Sequence, residues 1–290
     1  MNRGVLAVVV VFERALDDVV PWRWLCQELS GGSGKSIEED DSFLLEAALI
    51  YDNSPAPRAE SLFETPRCRY IHDPSNGGTA AAYRAAACLG VDLGITWLLV
   101  LDQDTSLPEQ FLRRAAAALS MLESAPPAVL LPWVSSGGVI ISPSVVSKCG
   151  SIRPMRRVAR RRAEVHITAI SSGAIFNVSE VPELRAIPRE LWLDYVDHWI
   201  FYRLHARETV LAIFDTCIHH DLSIASPKTV SPRRLRSVLD GERYFFQSLG
   251  ALARFTYPFR ILARLGRYVF VAPQQALVAI AWAVARMRDE

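Results

Sequence analysis

The sequence predicts an α/β fold with a mostly parallel central sheet, flanking helices and a helical C-terminal extension. Three observations lead to this prediction. Continuous β-branched runs such as VLAVVVVFE, residues 5–13, are typical of strands buried on both faces of a parallel sheet. Segments with helical spacing alternate with these runs, as in a doubly wound sheet with right-handed crossovers. The last 50 residues or so are aromatic and aliphatic with interspersed arginines.

The composition fits a globular protein with one large domain or two small ones, since 50% of the 290 residues are hydrophobic and 22% charged. A net charge of +1 argues against nucleic acid as a partner. Five scattered cysteines without a CxxC pair indicate neither a zinc site nor a disulfide framework. We therefore expect a reducing, cytoplasmic location. The first apolar stretch is interpreted as a strand, because it is short for a membrane span and lacks a cleavage site.

The first half of the chain alternates between the two kinds of element. We expect strands over residues 5–13, 42–57, 68–74 and 96–104, and helices over residues 19–29, 76–94 and 107–124. The segment 30–42 contains GGSGKS, which superficially suggests a phosphate-binding loop. The full spacing requires a glycine where Leu29 stands, so this segment is interpreted as a linker.

The second half is less regular. Residues 128–146 are interpreted as strand, turn and strand, and residues 164–181 as two short strands around Ser172-Gly173. An aromatic helix over 188–208 would carry Asp194 and Asp197 on one face, because the two are three positions apart. A strand within 208–223 leads into two adjacent histidines.

Two carboxylates lie two positions apart in the stretch VLVLDQDTSLPEQF, at the carboxyl end of the fourth strand of the first half. They are Asp102 and Asp104. One interpretation is purely structural, since Asp104, Thr105 or Ser106 is suited to cap a helix that opens at Pro108.

Other polar residues favour a binding site instead. Asp52, Asn53 and Asn76 also follow predicted strands. Ligands of doubly wound sheets bind beyond the carboxyl ends of the strands. The convergence of these residues with the Asp102/Asp104 pair therefore predicts a ligand site at that edge.

The order of these pieces resembles glycosyltransferase family 2, a nucleotide-sugar enzyme family with the GT-A fold, and within it the bacterial rhamnosyltransferase-like members. The resemblance extends from about Val5 to Ser223. It is carried by the Asp52-Asn53 turn, NGGTAAAYRAA, the DXD sequence in LDQDTSLP, Ser172-Gly173, and LWLDYVDHWIFYRL followed by HHDLS. It implies an inverting hexosyltransferase of cell-surface polysaccharide biosynthesis. A sugar such as rhamnose would move from a dTDP- or UDP-linked donor to a hydroxyl of a glycan or lipid-linked saccharide.

The resemblance also implies the roles of individual residues on the donor side. Those assigned to the donor are Asp52, Asn53, Asn76, Gly77, Asp102 and Asp104. Asp104 would in addition ligate Mg²⁺ or Mn²⁺, ions that prefer carboxylate oxygens. His220 fits the place of a histidine that completes the metal site in the family.

On the acceptor side, Asp197 aligns with the general base of the family. The residues assigned to the acceptor are Ser172, Gly173, Asp194, Trp199, Arg160 and Arg161. Arg160 and Arg161 belong to a run of six arginines within residues 153–162, where guanidinium groups would bind acceptor pyrophosphate or anionic lipid head groups. Trp199 departs from the family, which often has an acidic residue at that position.

The resemblance divides the chain into a transferase domain, residues 1–225, and an extension, residues 226–290. The nucleotide-sugar half would occupy about 1–125 and the acceptor half about 126–225. Residues 268–285 of the extension contain no charge, and arginines flank them. We interpret this part as an amphipathic segment on the anionic inner face of the cell membrane. Helices packed on the catalytic domain or on a partner are the alternative.

Two other functions stay open at this point. One is a degenerate transferase that binds a membrane or a partner protein through its arginine-rich half. The other is a haloacid-dehalogenase-like phosphatase, whose nucleophile loop DQDTS resembles. That loop normally ends the first strand of its domain, whereas here it follows the fourth.

Overall fold

The computed structural model describes residues 3–31, 43–58, 67–122, 126–155, 166–220 and 230–288. The strands within this part are β1 (Gly4–Val11), β2 (Leu44–Asp52), β3 (Cys68–His72), β4 (Trp97–Asp102), β5 (Val129–Ser136), β6 (Val139–Ser142), β7 (Ser144–Val146), β8 (Ile152–Pro154), β9 (Ile167–Thr168), β10 (Ile175–Asn177) and β11 (Leu211–His219). The α-helices are α1 (Val20–Gly31), α2 (Gly78–Asp92), α3 (Phe111–Ser120), α4 (Val196–Ala206), α5 (Pro232–Ser248), α6 (Ala251–Val271) and α7 (Pro273–Arg288).

The central sheet has the strand order β3-β2-β1-β4-β10-β5-β11, and β6 pairs with β5 at one side of this path. Strands β1 to β4 are parallel to one another in this sheet, and β11 is parallel to β5. Strand β10 is antiparallel to both β4 and β5, between which it lies. The α/β fold class with a mostly parallel sheet is therefore confirmed. A second, three-stranded sheet has the order β8-β7-β9.

Both faces of the central sheet are covered. Leu6 and Val8 of β1 pack in a core cluster with α2 and α4. Val5, Ala7 and Val9 alternate with them and pack in a second cluster with α1 and α3. Because successive side chains of a strand point to opposite faces, a strand buried on both sides needs apolar residues throughout. This requirement accounts for the continuous β-branched run that opens the chain.

The helix expected over 188–208 begins later, at Val196. The residue before it, Tyr195, has a left-handed backbone with φ of 66°, and no helix continues through it. Asp194 therefore precedes the helix, whereas Asp197 lies in its first turn. The prediction that the two carboxylates share one helical face was wrong.

The C-terminal part is helical, as predicted. Ser231 caps α5, and its hydroxyl accepts a hydrogen bond from the backbone N–H of Arg234. Phe245 and Phe246 of α5 pack against Val146 of the small sheet. Helices α6 and α7 pack in turn on α5, with Glu242 paired to Arg264 at 2.9 Å. No helix in the described part of the chain has the length and apolarity of a membrane span.

Candidate active site

A cavity of about 480 Å³ lies at the carboxyl ends of β1 and β4. Its walls come from both halves of the chain and from the beginning of α5. Among the residues predicted from the sequence, those that line it are Asn53, Asn76, Asp102, Asp104, Asp197 and His220. The structure therefore brings the Asp-Gln-Asp stretch and the distant aspartate of the aromatic helix together around one space.

Asp102, Asp104 and His220 form a compact cluster on one wall of this cavity. Each offers one ligand atom, and these atoms lie within 4.8 Å of one another. Nδ1 of His220 is 3.3 Å from Oδ1 of Asp104, and its Nε2 is 3.9 Å from Oδ2 of Asp102. Two carboxylates and one imidazole make a donor set that fits a divalent cation such as Mn²⁺ or Mg²⁺. The cluster contains Asp102 as well as the two expected ligands.

The charges of this cluster are coupled. Burial, together with the charges of Asp104 and Asp197, raises the pKa of Asp102 to about 6, although the charge of His220 opposes this increase. Burial also acts to raise the pKa of Asp104, but the hydrogen bond and charge of His220 lower it below its ordinary value. Such a concentration of negative charge favours a cation between the carboxylates.

The backbone after β4 is fixed by Ser172 and Gly173, which the resemblance assigned to the acceptor. The hydroxyl of Ser172 accepts a hydrogen bond from the backbone N–H of Asp102 at 3.1 Å and also contacts the hydroxyl of Thr105. Gly173 has φ of 79°, and a Cβ there would lie 2.5 Å from Cδ1 of Ile218. Both residues are outside the cavity lining. In this structure they support the position of Asp102.

The loop from β3 to α2 forms another wall. The side-chain oxygen of Asn53 accepts a hydrogen bond from the backbone N–H of Gly78 at 3.1 Å. Asn76 has φ of 54°, and its carbonyl accepts a bond of 2.6 Å from Nε1 of Trp192. The backbone N–H of Gly77 donates to Asp73 instead of facing the cavity. The amino end of α2 is thus held at the edge of the sheet where β2 ends.

Asp197 lines the same cavity and lies in the first turn of α4, where the helix dipole favours a carboxylate. Its Oδ1 accepts a hydrogen bond of 2.7 Å from the backbone N–H of His198. Tyr83 is buried, lines the same cavity and is close enough to Asp102 and Asp197 to be affected by both charges. Burial raises the pKa of the Tyr83 hydroxyl, and the charges of Asp102 and Asp197 raise it further.

Asp52, which the resemblance assigned to the nucleotide, is fully buried and does not line the cavity. Its Oδ2 pairs with Nε of Arg58 at 2.8 Å and accepts a bond from the Tyr70 hydroxyl at 3.0 Å. Its Oδ1 accepts a bond from the backbone N–H of Ser54. These contacts give Asp52 a structural role in this conformation.

Residues assigned to the acceptor are more dispersed. Trp199 belongs to α4 and is buried in the core. Asp194 is also buried, and its Oδ1 lies 3.3 Å from Nη2 of Arg234. Burial raises the pKa of Asp194, which the charge of Arg234 opposes. Arg160 and Arg161 lie outside the described residues.

Sequence reasoning missed part of the cavity wall. Trp192, Arg233 and Arg234 all line it. The guanidinium of Arg233 lies over the Trp192 ring, 4.6 Å from the ring centroid, and so closes that side with a cation–π contact. The signal available in the sequence was the RR pair that follows Ser231-Pro232, at the capped start of a helix.

No protein-family model and no curated protein matches the chain. Among solved structures, S. aureus TarS 1–349 in complex with UDP-GlcNAc is similar at a TM-score of 0.50 and 12% identity, over 95% of this chain and 79% of that one. The same protein with UDP has a TM-score of 0.48 and 13% identity, over 88% and 72% of the two chains. A 4-diphosphocytidyl-2C-methyl-D-erythritol synthase has a TM-score of 0.41 and 15% identity, over 78% and 94%. The first of these likenesses shows a shared fold.

Proposed function

We propose that the protein is a metal-dependent, inverting glycosyltransferase. It moves a sugar from a dTDP- or UDP-linked donor to a hydroxyl of a glycan or lipid-linked saccharide. The observation that carries this proposal is that Asp197 lines the same cavity as the cluster of Asp102, Asp104 and His220. The shared fold with TarS, which was solved with UDP-GlcNAc, supports a nucleotide-sugar donor. The resemblance to family 2 adds rhamnose as the favoured sugar.

Asp102, Asp104 and His220 would hold the metal ion together with the donor diphosphate. A bound Mg²⁺ or Mn²⁺ would neutralise charge on the departing diphosphate. The nucleoside would extend along the wall formed by Asn53 and Asn76, where carbonyl and amide groups offer hydrogen bonds. Asp52, the residue before Asn53, would stabilise this wall through its contacts with Arg58 and Tyr70.

Arg233 and Arg234 would complete the anion site from the opposite direction. Both belong to the first turn of α5, whose backbone N–H groups and dipole favour negative charge. Guanidinium groups bind phosphate oxygens through charge-assisted hydrogen bonds. The extension, residues 226–290, would therefore take part in the site of the transferase domain, residues 1–225.

Asp197 would act as the general base. It would accept the proton of the acceptor hydroxyl while the oxygen of that hydroxyl attacks the anomeric carbon from the face opposite the diphosphate. One displacement of this kind inverts the anomeric centre, and its transition state has oxocarbenium character. Tyr83 stays protonated beside Asp197 and offers a hydrogen bond to the sugar.

Nucleotide binding tests this proposal directly. Thermal unfolding is followed with UDP, dTDP and GDP, each with and without Mn²⁺. We expect UDP or dTDP to raise the melting temperature by about 3–5 °C at saturation, and only with Mn²⁺, because a ligand that binds the folded state stabilises it. Asp104→Asn should abolish the increase. Asp92→Asn, at the exposed end of α2, should retain it.

The proposal fails if none of the three nucleotides changes the melting temperature in the presence of Mn²⁺. It also fails if Asp104→Asn responds to nucleotide and metal as the wild type does. Sugar transfer itself is measured as the release of UDP or dTDP from the sugar nucleotide after an acceptor is added. The acceptor is supplied either as cell membranes with an accessible inner face or as extracted lipid-linked saccharides.

A further inference from the structure

Helices α6 and α7 carry exposed apolar side chains at helical spacing. On α6 these include Leu252, Phe255, Phe259, Leu262 and Phe270. Phe255 is 69% exposed and Phe270 88% exposed, values that are unusual for side chains of this size. Phe255 and Phe259 are in contact, with ring centroids 5.7 Å apart, and exposed apolar side chains grouped on one side of a helix are typical of an interaction site.

Helix α7 continues the pattern with Leu277, Ile280 and Val284, which are three and four positions apart and all exposed. We call this surface, formed by the exposed apolar side chains of α6 and α7, the α6–α7 face. Its residues are spaced so that each helix presents one apolar side to the surroundings.

The other sides of both helices are fixed on α5. Ile261 of α6 and Trp282 of α7 are buried with Leu235 and Leu239 of α5. Nε1 of Trp282 donates a 2.8 Å hydrogen bond to Asp240. Because these contacts set the rotation of each helix, the outward direction of the α6–α7 face is determined by the fold.

The charged residues of α6 and α7 have one sign. Residues 250–288 contain six arginines and no acidic residue. Arg264 and Arg286 pair with Glu242 and Asp240 of α5. Arg254 and Arg267 are exposed on α6, beside the apolar side chains. Apolar side chains with exposed arginines at their edges complement an anionic lipid surface, where guanidinium groups bind phosphate and apolar groups enter the acyl region.

The face also approaches the cavity. Nε2 of Gln275, near the start of α7, donates a 3.2 Å hydrogen bond to the carbonyl of Val230. The next residue, Ser231, lines the cavity. Phe270 lies at the end of α6, just before this junction. The junction of α6 and α7, at one end of the apolar face, therefore contacts the segment that leads into α5 and the cavity wall.

From these observations we infer that the α6–α7 face docks the protein on an anionic bilayer and directs the cavity toward an acceptor carried by lipid. The partner is the membrane surface itself, bound by one side of each helix. The identity of the acceptor rests on the proposed function, whereas the docking does not.

Flotation with vesicles of phosphatidylcholine, with or without phosphatidylglycerol, tests the docking. The double variant Phe255→Ser/Phe259→Ser should bind vesicles containing phosphatidylglycerol about tenfold more weakly than the wild type. The matched control Met121→Ser/Val139→Ser removes two exposed apolar side chains far from this face in sequence and should bind as the wild type does. Equal melting temperatures, followed by circular dichroism, would establish that each variant is folded.

The charge component is tested separately. Arg254→Ala/Arg267→Ala should lose most of the preference for phosphatidylglycerol over phosphatidylcholine, and added salt should weaken the binding of the wild type. The Asp104→Asn variant should bind vesicles as strongly as the wild type in the absence of nucleotide and metal. That result would separate the docking from the transferase proposal.

Three results would overturn the inference. The first is equal vesicle binding by the wild type and the Phe255→Ser/Phe259→Ser variant. The second is an equal loss in the Met121→Ser/Val139→Ser control. The third is a wild-type dimer in light scattering that the phenylalanine variant abolishes, together with no vesicle binding, since a second copy would then cover the face.

Discussion

Nδ1 of His220 lies 3.3 Å from Oδ1 of Asp104, and this contact joins the end of β11 to the end of β4. The two strands are separated in the sheet by β10 and β5. The backbone N–H of Ser106 donates to the carbonyl of His219 at 3.4 Å and supports the same junction. The candidate metal cluster therefore forms only when the second half of the chain completes the sheet.

Replacement of His220 by Ala should weaken Mn²⁺-dependent binding of UDP at least about tenfold, because one of the three ligand groups is lost. Isothermal titration calorimetry measures this effect. His219→Ala is the matched control, since His219 is exposed and is not among the residues that line the cavity. Equal affinities of the two variants would remove His220 from the metal site.

Asp197→Asn should reduce kcat by about 10²–10⁴, the usual contribution of a general base. The affinity for UDP with Mn²⁺ should stay within about twofold, because Asp197 is not one of the residues of the metal cluster. Steady-state kinetics and calorimetry provide the two measurements. A variant that loses nucleotide affinity but keeps kcat would assign Asp197 to the donor instead.

Arg233→Gln should weaken binding of UDP about tenfold or more, because it removes a positive charge and its cation–π contact with Trp192. Binding of uridine, which lacks phosphate, should change little. Arg236→Gln, exposed one turn further along α5, should leave both affinities unchanged. An equal loss for UDP and uridine would point to a general distortion of the cavity.

Gly78→Ala should destabilise the protein more than Gly94→Ala does. Both glycines have a left-handed backbone, with φ of 72° and 68°, so each alanine costs about 1 kcal/mol in backbone strain. A Cβ at Gly78 would also lie 2.4 Å from the carbonyl oxygen of Trp192, whereas at Gly94 it meets nothing within 4 Å. Urea denaturation should give a difference of about 1–3 kcal/mol in the free energy of unfolding. Equal values would mean that Trp192 moves aside without cost.

Stability should fall between pH 6.5 and pH 4 through His166. Burial, together with the charges of His205 and His198, lowers the pKa of this ring to about 4, and the ring of His205 stacks on it at 4.7 Å. Between these pH values the unfolded chain binds more protons than the folded one. The free energy of unfolding therefore decreases as the pH decreases. Since the ring is partly exposed, we expect a discounted effect of about 1–2 kcal/mol.

His166→Phe keeps an aromatic ring against Tyr202 and Phe245 but removes the titrating group. Melting temperatures of this variant at pH 7 and pH 5 should differ less than those of the wild type. His219→Ala, with an exposed histidine, should show the wild-type difference. An unchanged difference in His166→Phe would assign the acid sensitivity to other groups.

The sequence predicted those features that local patterns determine. Apolar runs such as residues 5–13 predicted the doubly buried strands, and polar residues after strands predicted where the site lies. Strand β10, by contrast, has only three residues, Ile175–Asn177, and nothing in them specifies an antiparallel direction. The sequence around Tyr195 contains no signal for a left-handed backbone, so the start of α4 was predicted too early.

The candidate site divides in the same way. Asp102, Asp104, Asp197 and His220 were assigned to one site, and the structure brings them to one cavity. Asp52 was expected beside the nucleotide, but its partners Arg58 and Tyr70 come from the next segment and the next strand. Arg233 meets Trp192 across a separation of about 40 residues. Such long-range pairings depend on tertiary packing, which local spacing does not encode.

Strand β10 has a mechanical consequence. Its backbone hydrogen bonds run to β4 on one side and to β5 on the other, so the segments bearing Asp104 and His220 share one continuous ladder. A hinge between them would have to break that ladder. Entry and departure of large reactants would then depend on parts of the cavity wall outside that ladder, such as the contact of Trp192 with Arg233.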